Sequence, residues 1–172
     1  MSMTHYMELL AQNQPWNLIL FMAIPVILAE TVAITELFIL FSRQYDGPLR
    51  TINRGASIAG GLYFCGVFVY LMMTAVIPLT TSGGWRGAAD VIAVGFYLSG
   101  IVPLLGMALL DMGLIGKSRS QEEKLKLHAS FVALFLVVAH IAMIFGMLDP
   151  ALLMSNPPAA MPGMEAMPGM KH

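Results

Sequence analysis

The sequence is short of charged residues and long in apolar ones. Lys, Arg, Asp and Glu make up 11% of its 172 residues, less than half the share of about 25% in a typical soluble domain. Hydrophobic residues make up 58%, and the mean hydropathy is +0.75, values typical of an integral membrane protein in a lipid bilayer. No cluster of basic residues offers a surface to nucleic acid, so nucleic-acid binding is excluded.

Cysteine and catalytic motifs are also nearly absent. The one cysteine, Cys65, lies in an apolar run. A single thiol excludes a disulfide framework and a cysteine-based metal site, and the residue is predicted to be a small buried hydrophobe. The first sixteen residues contain no Lys or Arg, unlike the basic start of a signal peptide. Phosphate loops, nucleophile triads and zinc signatures are missing, so an enzyme is the least favoured function.

Four long apolar runs predict the fold. A helix of about 20 apolar residues crosses a bilayer, and lipid forces a spanning backbone to be helical. The sequence therefore predicts an all-α membrane protein with an external segment (1–16), a bundle of four transmembrane helices (17–150) and a disordered Met/Pro/Gly-rich tail (151–172). Pro25 and Pro103 lie within the first and third spans and should kink them. The predicted spans are residues 17–42, 55–79, 88–116 and 125–148.

The basic residues predict an orientation. Seven of the nine lie in or beside the first and third connections, whereas the second connection contains only Arg86. The positive-inside rule then places the first and third connections in the cytoplasm. We therefore expect a multi-pass protein of the cell (inner) membrane with both termini external or periplasmic.

Ionisable residues within the spans are the first candidate site. A charge at the bilayer centre costs about 2.5–3.5 kcal/mol, so such residues usually face protein or water. Glu30 lies near mid-depth, and His140 is expected to be its partner, in a proton relay, a metal site or a structural interhelical bond. Asp90 and Asp111 mark the ends of the third span and are expected near water. With Glu36, these residues predict a polar ladder for protons or ions.

A second histidine, His128, lies beside two lysines and is expected at the cytoplasmic edge in an interfacial role. It is twelve residues from His140, about 18 Å along a helix. The two histidines therefore cannot hold one haem.

The tail carries a methionine repeat. Ala160–Met164 recurs as Ala166–Met170. Pro-Gly favours a type II turn, which brings flanking Cα atoms within about 7 Å, and paired thioethers are soft ligands that suit Cu(I). The tail is therefore expected either to bind a soft ion or to be a flexible segment with an accidental repeat. The predicted tail ligands are Met161, Met164, Met167, Met170 and His172.

Two further methionines are candidate metal ligands. Met143 and Met147 share a helix face with His140 and lie in the outer half of the fourth span, at about the depth of Met22, Met72 and Met73. Such a patch would pass a soft cation inward from the tail. The alternative for each methionine alone is an ordinary core residue.

Small residues four apart predict close helix contacts in the second span. Gly55 with Ala59, and Ala56 with Gly60, allow helices to approach closely in lipid. The contacts would lie within the bundle or in a homodimer.

The segment Gln14-Pro15-Trp16-Asn17, followed by Ala29-Glu30 and Thr35-Glu36, resembles small four-span bacterial membrane proteins labelled permeases. The resemblance covers the four spans and implies a class, without an activity or site residues. Three functions stay open: transport or handling of a soft metal cation such as Cu(I), which we favour; a proton-coupled permease for a small solute; and an accessory subunit of a larger membrane complex.

Overall fold

The computed structural model describes residues 3–153, and within this range every regular element is helical. The helices α2 to α5 are each long and apolar enough to cross a membrane, which confirms the predicted four-helix membrane fold. The predicted tail ligands lie outside the described residues. The elements are α1 (His5–Ala11), α2 (Trp16–Ser42), α3 (Pro48–Ser82), α4 (Ala88–Asp111), α5 (Gln121–Met147) and a 3₁₀ turn (Pro150–Leu153).

The helix α3 is longer than its predicted span. Gly47, with φ +129°, reverses the chain, and Pro48 is well suited to the first helical turn. Hydropathy does not predict the first two turns of this helix, because they contain Arg50 and Arg54. Such turns can still belong to a membrane helix, since long basic side chains can extend to the lipid boundary. The helix therefore starts seven residues before the predicted position.

The boundaries of α4 and α5 also have local causes. Gly113 adopts φ +74°, a left-handed conformation that ends helices, so α4 stops at Asp111 rather than at residue 116. Ser120 and Glu123 form a reciprocal capping box, which satisfies free N–H groups at a helix start. The helix α5 accordingly starts at Gln121.

The helix is interrupted near both prolines named above. Pro25 follows a wider π-helical turn at Ile19–Ala23, which relieves the clash between a proline ring and the carbonyl four residues earlier. That carbonyl, of Phe21, accepts a hydrogen bond from the Tyr97 hydroxyl at 2.5 Å, which ties α2 to α4. In α4 the helix is interrupted at Gly100, just before Ile101–Asp111, the segment that contains Pro103.

The four spanning helices form a ring in which α3 packs on α2 and α4, and α5 packs chiefly on α4. Of the small residues in α3, Ala56 and Gly60 face the bundle, whereas Gly55 and Ala59 face outward. Buried apolar residues from all four helices close the middle of the ring, and we call them the apolar layer. They are Ala29, Val32, Phe64, Leu104, Met107, Val132 and Phe135.

The short helix α1 folds back onto one end of the bundle. The Thr4 hydroxyl caps α1 and donates a hydrogen bond of 2.7 Å to the carbonyl of Gly146 in α5. Arg86 forms an ion pair with Glu8. We call this end the N-terminal end, and the opposite end, which carries seven basic residues, the basic end.

Candidate functional site

A group of polar side chains, drawn from all four spanning helices, lies buried near the basic end. Burial of several charges within a membrane bundle is costly unless they pair with one another. We call this group the polar cluster. It consists of Glu36 from α2, Arg50, Asn53 and Ser57 from α3, Asp111 from α4 and His128 from α5.

His128 is the centre of the polar cluster and is fully buried. Its Nε2 lies 3.0 Å from Oδ2 of Asp111. Its Nδ1 lies 3.0 Å from Oε2 of Glu36, within ion-pair distance but without hydrogen-bond alignment. An imidazolium ring can donate from both nitrogens, so its charged form suits a position between two carboxylates.

Arg50 balances the remaining charge. Its Nη2 lies 2.7 Å from Oδ1 of Asp111, and its Nη1 donates to Oδ1 of Asn53 at 3.0 Å. With His128 charged, two cations face the two anions Glu36 and Asp111, so the net charge is zero. Such compensation is what a buried ionic network needs to offset its desolvation.

Two buried atoms of the network have no hydrogen-bond partner, Nδ1 of His128 and Oε1 of Glu36. Oε2 of Glu36 accepts a hydrogen bond from Nδ2 of Asn53 at 3.2 Å. Oε1 of the same carboxylate is buried and receives no hydrogen bond. A buried polar atom without a partner carries a free-energy penalty, so the pairing of the cluster is incomplete at Glu36.

The predicted pair of Glu30 and His140 is wrong. Both side chains lie on the outer surface of the bundle. His140 uses its Nδ1 to contact the carbonyl of Leu136 in its own helix, at 2.6 Å, and within residues 3–153 Glu30 makes no hydrogen bond or ion pair. The expectation for His128 is also wrong, because this residue is buried in the polar cluster rather than placed at the interface.

The predicted polar ladder is divided in two. Glu36 and Asp111 meet in the polar cluster, whereas Asp90 lies at the N-terminal end, and the apolar layer separates them. Neither aspartate is near water as expected, since the exposed fractions of Asp90 and Asp111 are 0% and 6%. Asp111 is covered by Arg50 and His128, and Asp90 is covered by His5.

Asp90 attaches α1 to the bundle. Its Oδ1 accepts the backbone N–H of His5 at 2.6 Å, and its Oδ2 lies 2.5 Å from Nδ1 of the same histidine. The contact lies at the first turn of α1, where free N–H groups and the helix dipole favour an anion.

Beneath the docked α1 lies a groove of about 160 Å³ whose lining includes five methionines from three segments of the chain. Tyr6 forms part of its wall, and burial raises the pKa of Tyr6 to about 12, so this wall is uncharged at neutral pH. We call the site the methionine groove. Its methionines are Met3 and Met7 from the N-terminal segment, Met22 from α2, and Met143 and Met147 from α5.

A family model described as a family of unknown function, DUF6803, matches residues 1–162. The chain belongs to this family. The match includes every described helix and therefore both the polar cluster and the methionine groove. Neither a curated protein nor a solved structure matches the chain. The family description names no activity, so the resemblance to permeases stays a prediction.

Within the described range, no group of three or more His, Cys, Asp or Glu residues is arranged to hold a metal ion. The groove brings together Met143 and Met147, which were predicted as ligands, and adds Met22. The sequence marked Met3 and Met7 as an outer cluster of soft ligands, but it gave no sign that α1 folds back over α5 and so brings them to the same groove.

A second cavity of about 50 Å³ shares Tyr6, Met22 and Met143 with the methionine groove. It reaches the rings of Phe64 and Phe135, which belong to the apolar layer. This second cavity therefore lies between the methionine groove and the apolar layer of the DUF6803 bundle.

Proposed function

We propose that this protein binds a soft monovalent cation, Cu(I) or Ag(I), in the methionine groove and acts in the transport or handling of that ion at the membrane. The observation that carries the proposal is the convergence of five methionines, from three separate segments of the chain, on one groove. A methionine in a protein core usually fills a gap on its own. Five methionines that line one groove instead provide a set of soft ligands.

The composition of the groove supports selectivity for soft ions. Among the described residues, its lining contains no Asp, Glu, His or Cys, which are the residues that bind Zn²⁺, and Ca²⁺ and Mg²⁺ require oxygen ligands. Thioethers favour Cu(I). Aromatic rings in the adjoining cavity, including Phe21 and Tyr97, add faces that attract a cation.

The position of the groove also fits the predicted role of the tail. Met147 is both a groove residue and the last residue of α5, so the chain leaves the bundle beside the groove. The first methionine of the tail repeat, Met161, follows fourteen residues later. We propose that the tail captures the soft ion and transfers it to the groove.

The test compares three sets of Met→Leu substitutions in the full-length protein in detergent. Cu(I) is titrated against a competing chelator. Leu is close to Met in volume, so the fold should be retained. We expect the groove variant to bind Cu(I) at least about tenfold more weakly, a loss of about 1.4 kcal/mol. The groove set is Met7, Met22, Met143 and Met147; the tail set is Met161, Met164, Met167 and Met170; the matched control is Met72 and Met73 on α3.

Equal affinity in the groove variant and the parent would contradict the proposed site. If the tail variant alone lost binding, the tail would be the metal site and the groove an apolar contact. The control pair should leave binding unchanged, because Met72 and Met73 do not line the groove. Zn²⁺ should not compete.

A further inference from the structure

We propose that a pocket between α1, α3 and α4, at the N-terminal end of the bundle, binds an amphipathic organic ammonium ion. The pocket has a volume of about 240 Å³, and we call it the α1 pocket. It lies on the other side of α1 from the methionine groove, and among the described residues only Tyr6 lines both. The two sites can therefore be tested separately.

The inner wall of the α1 pocket is apolar and aromatic. Leu71 of α3 and Val94 of α4 line it and are buried. The rings of Tyr6 and Tyr97 pack against this apolar cluster, with their centroids 5.1 Å apart. Apolar and aromatic side chains are the usual lining for the body of an organic ligand. The face of a tyrosine ring also attracts a cation.

The hydroxyl groups of the pocket have already used their hydrogens. Thr74 donates to the carbonyl of Tyr70 at 2.8 Å, and Ser82 donates to the carbonyl of Pro78 at 2.8 Å. The hydroxyl of Tyr97 donates to a carbonyl of α2. A hydroxyl group has one hydrogen and two lone pairs, so these three oxygens can only accept from a ligand. The pocket therefore suits a ligand that donates hydrogen bonds.

Glu8 adds a negative charge to the lining. Its side chain is 37% exposed, and its ion pair with Arg86 uses Oε2 and so leaves Oε1 for a ligand. The lining includes His5, whose Nδ1 faces Asp90, but among the described residues it includes neither Lys nor Arg. Hydrogen bonds between a cation and a carboxylate are the stronger kind. The donor that fits is therefore an ammonium group.

The α1 pocket lies where amphipathic molecules collect. The helix α3 has 35 residues, a length of about 52 Å, whereas the hydrocarbon core of a bilayer is about 30 Å thick. The pocket uses only the last part of α3, from Leu71 to Ser82, which we place at the boundary of lipid and water. A π-helical turn at Met72–Val76 contributes Thr74 and Ala75 to the wall, and such turns are frequent at functional sites.

The test uses phenethylammonium as the probe and the full-length protein in detergent. Phenethyl alcohol is the matched probe, because it has the same apolar body and no charge. Binding is measured by equilibrium dialysis, with protein-free micelles as the blank. We expect the ammonium ion to bind at least about tenfold more tightly than the alcohol, because hydrogen bonds to charged groups are stronger than neutral ones. Glu8→Gln should remove most of that difference.

A second variant fills the pocket from α3 and leaves the residues that dock α1 unchanged. Ala75→Phe should abolish binding of phenethylammonium. The matched control is Met73→Phe, at a position that is 66% exposed and outside the pocket, and it should keep the parental affinity. Equal binding of the two probes by the parent, or parental affinity in Ala75→Phe, overturns the proposal. Loss of binding in both Phe variants also contradicts it. The comparison of probes in the parent needs no variant to fold.

Competition identifies the source of the ammonium group. Phosphatidylethanolamine, which carries a primary ammonium, and phosphatidylglycerol, which carries none, are each added to the detergent solution with the probe. Displacement by phosphatidylethanolamine alone would show that the pocket takes a lipid headgroup, and displacement by neither lipid would show that its ligand is a free amine. Equal displacement by both lipids would show that acyl chains fill the pocket, which contradicts the proposal.

Discussion

At the scale of single residues, Asn53 holds the polar cluster to α2. Its Nδ2 donates to Oγ1 of Thr35 at 2.9 Å, to the carbonyl of Val32 at 3.1 Å and to Glu36 at 3.2 Å. Its Oδ1 accepts from Arg50. One fully buried amide therefore serves partners on two helices.

We expect Asn53→Ala to lower the free energy of unfolding in detergent by about 1–3 kcal/mol, because it leaves buried polar groups without partners. The control is Thr31→Ala, since the Thr31 hydroxyl is exposed and bonds only to the Ile27 carbonyl of its own helix. Thr31→Ala should change stability by less than about 0.5 kcal/mol. Equal losses in the two variants would contradict the assigned role of Asn53.

The residues of the polar cluster could have been paired from the sequence by depth alone. Glu36 lies six residues before the end of α2, and His128 lies seven after the start of α5, so both are about 10 Å from the basic end. Rotation about the helix axis is harder to infer. Both α2 and α5 are apolar on their lipid side as well as their inner side, so periodicity does not show that Glu30 and His140 face outward.

At the scale of secondary-structure elements, the contact of α3 with α4 depends on Gly61. A Cβ atom at this position would lie 2.5 Å from Cβ of Ala108 and 2.7 Å from the carbonyl oxygen of Leu104. We expect Gly61→Ala to destabilise the protein by about 1–3 kcal/mol through overpacking, measured by unfolding in detergent.

Gly66→Ala is the matched control for Gly61→Ala. It lies on the same helix, and a Cβ atom there would meet nothing within 4 Å. Because alanine favours helix more than glycine does, by about 0.5–1 kcal/mol, the control should be neutral or stabilising. A destabilising Gly66→Ala would show that this outward position is covered by another chain.

The docking of α1 makes a prediction about pH. Burial raises the pKa of Tyr6 from 10.0 to about 12, so the folded form holds this proton more tightly than the undocked form does. Docking is therefore at full strength below about pH 10 and weakens as the pH rises toward 12, since the undocked form binds fewer protons in that range.

We expect Asp90→Asn to release α1, because it removes the anion that faces the backbone N–H and the ring Nδ1 of His5. Ultraviolet titration of tyrosine should then show one group whose ionisation moves from near pH 12 to near pH 10. Tyr6→Phe in the same background should remove that group. An unchanged titration in Asp90→Asn would mean that Thr4 and Arg86 hold α1 without Asp90.

The elements differ in how well the sequence predicts them. The four spans are recovered because twenty or more apolar residues in a row have few alternatives to a membrane helix. The helix α1 was missed because seven residues are too few to show a clear periodicity and its stability comes from contacts with Asp90 and Gly146. Short elements held by tertiary contacts leave little trace in the local sequence.

At the scale of the whole molecule, the orientation in the membrane is still a prediction. After Cys65→Ala, single cysteines are introduced by Gln44→Cys, Gly84→Cys and Ser118→Cys, each between spanning helices. A membrane-impermeant maleimide added to whole cells should label only position 84, because the basic connections are expected inside. Labelling of positions 44 and 118, but not of 84, would reverse the orientation and place the methionine groove in the cytoplasm.

The apolar layer also acts as an electrical insulator. Polar groups and cavities lie on both sides of it, and between them stand only hydrocarbon and aromatic side chains and the thioether of Met107. The layer is the least polarisable part of the described bundle, and a membrane voltage falls mainly across regions of low polarisability. A charge that crosses the layer would gain or lose about 2.3 kcal/mol for each 100 mV. The layer is thus the part of the bundle in which a buried charge would be costliest, and the polar groups of the described bundle lie on either side of it.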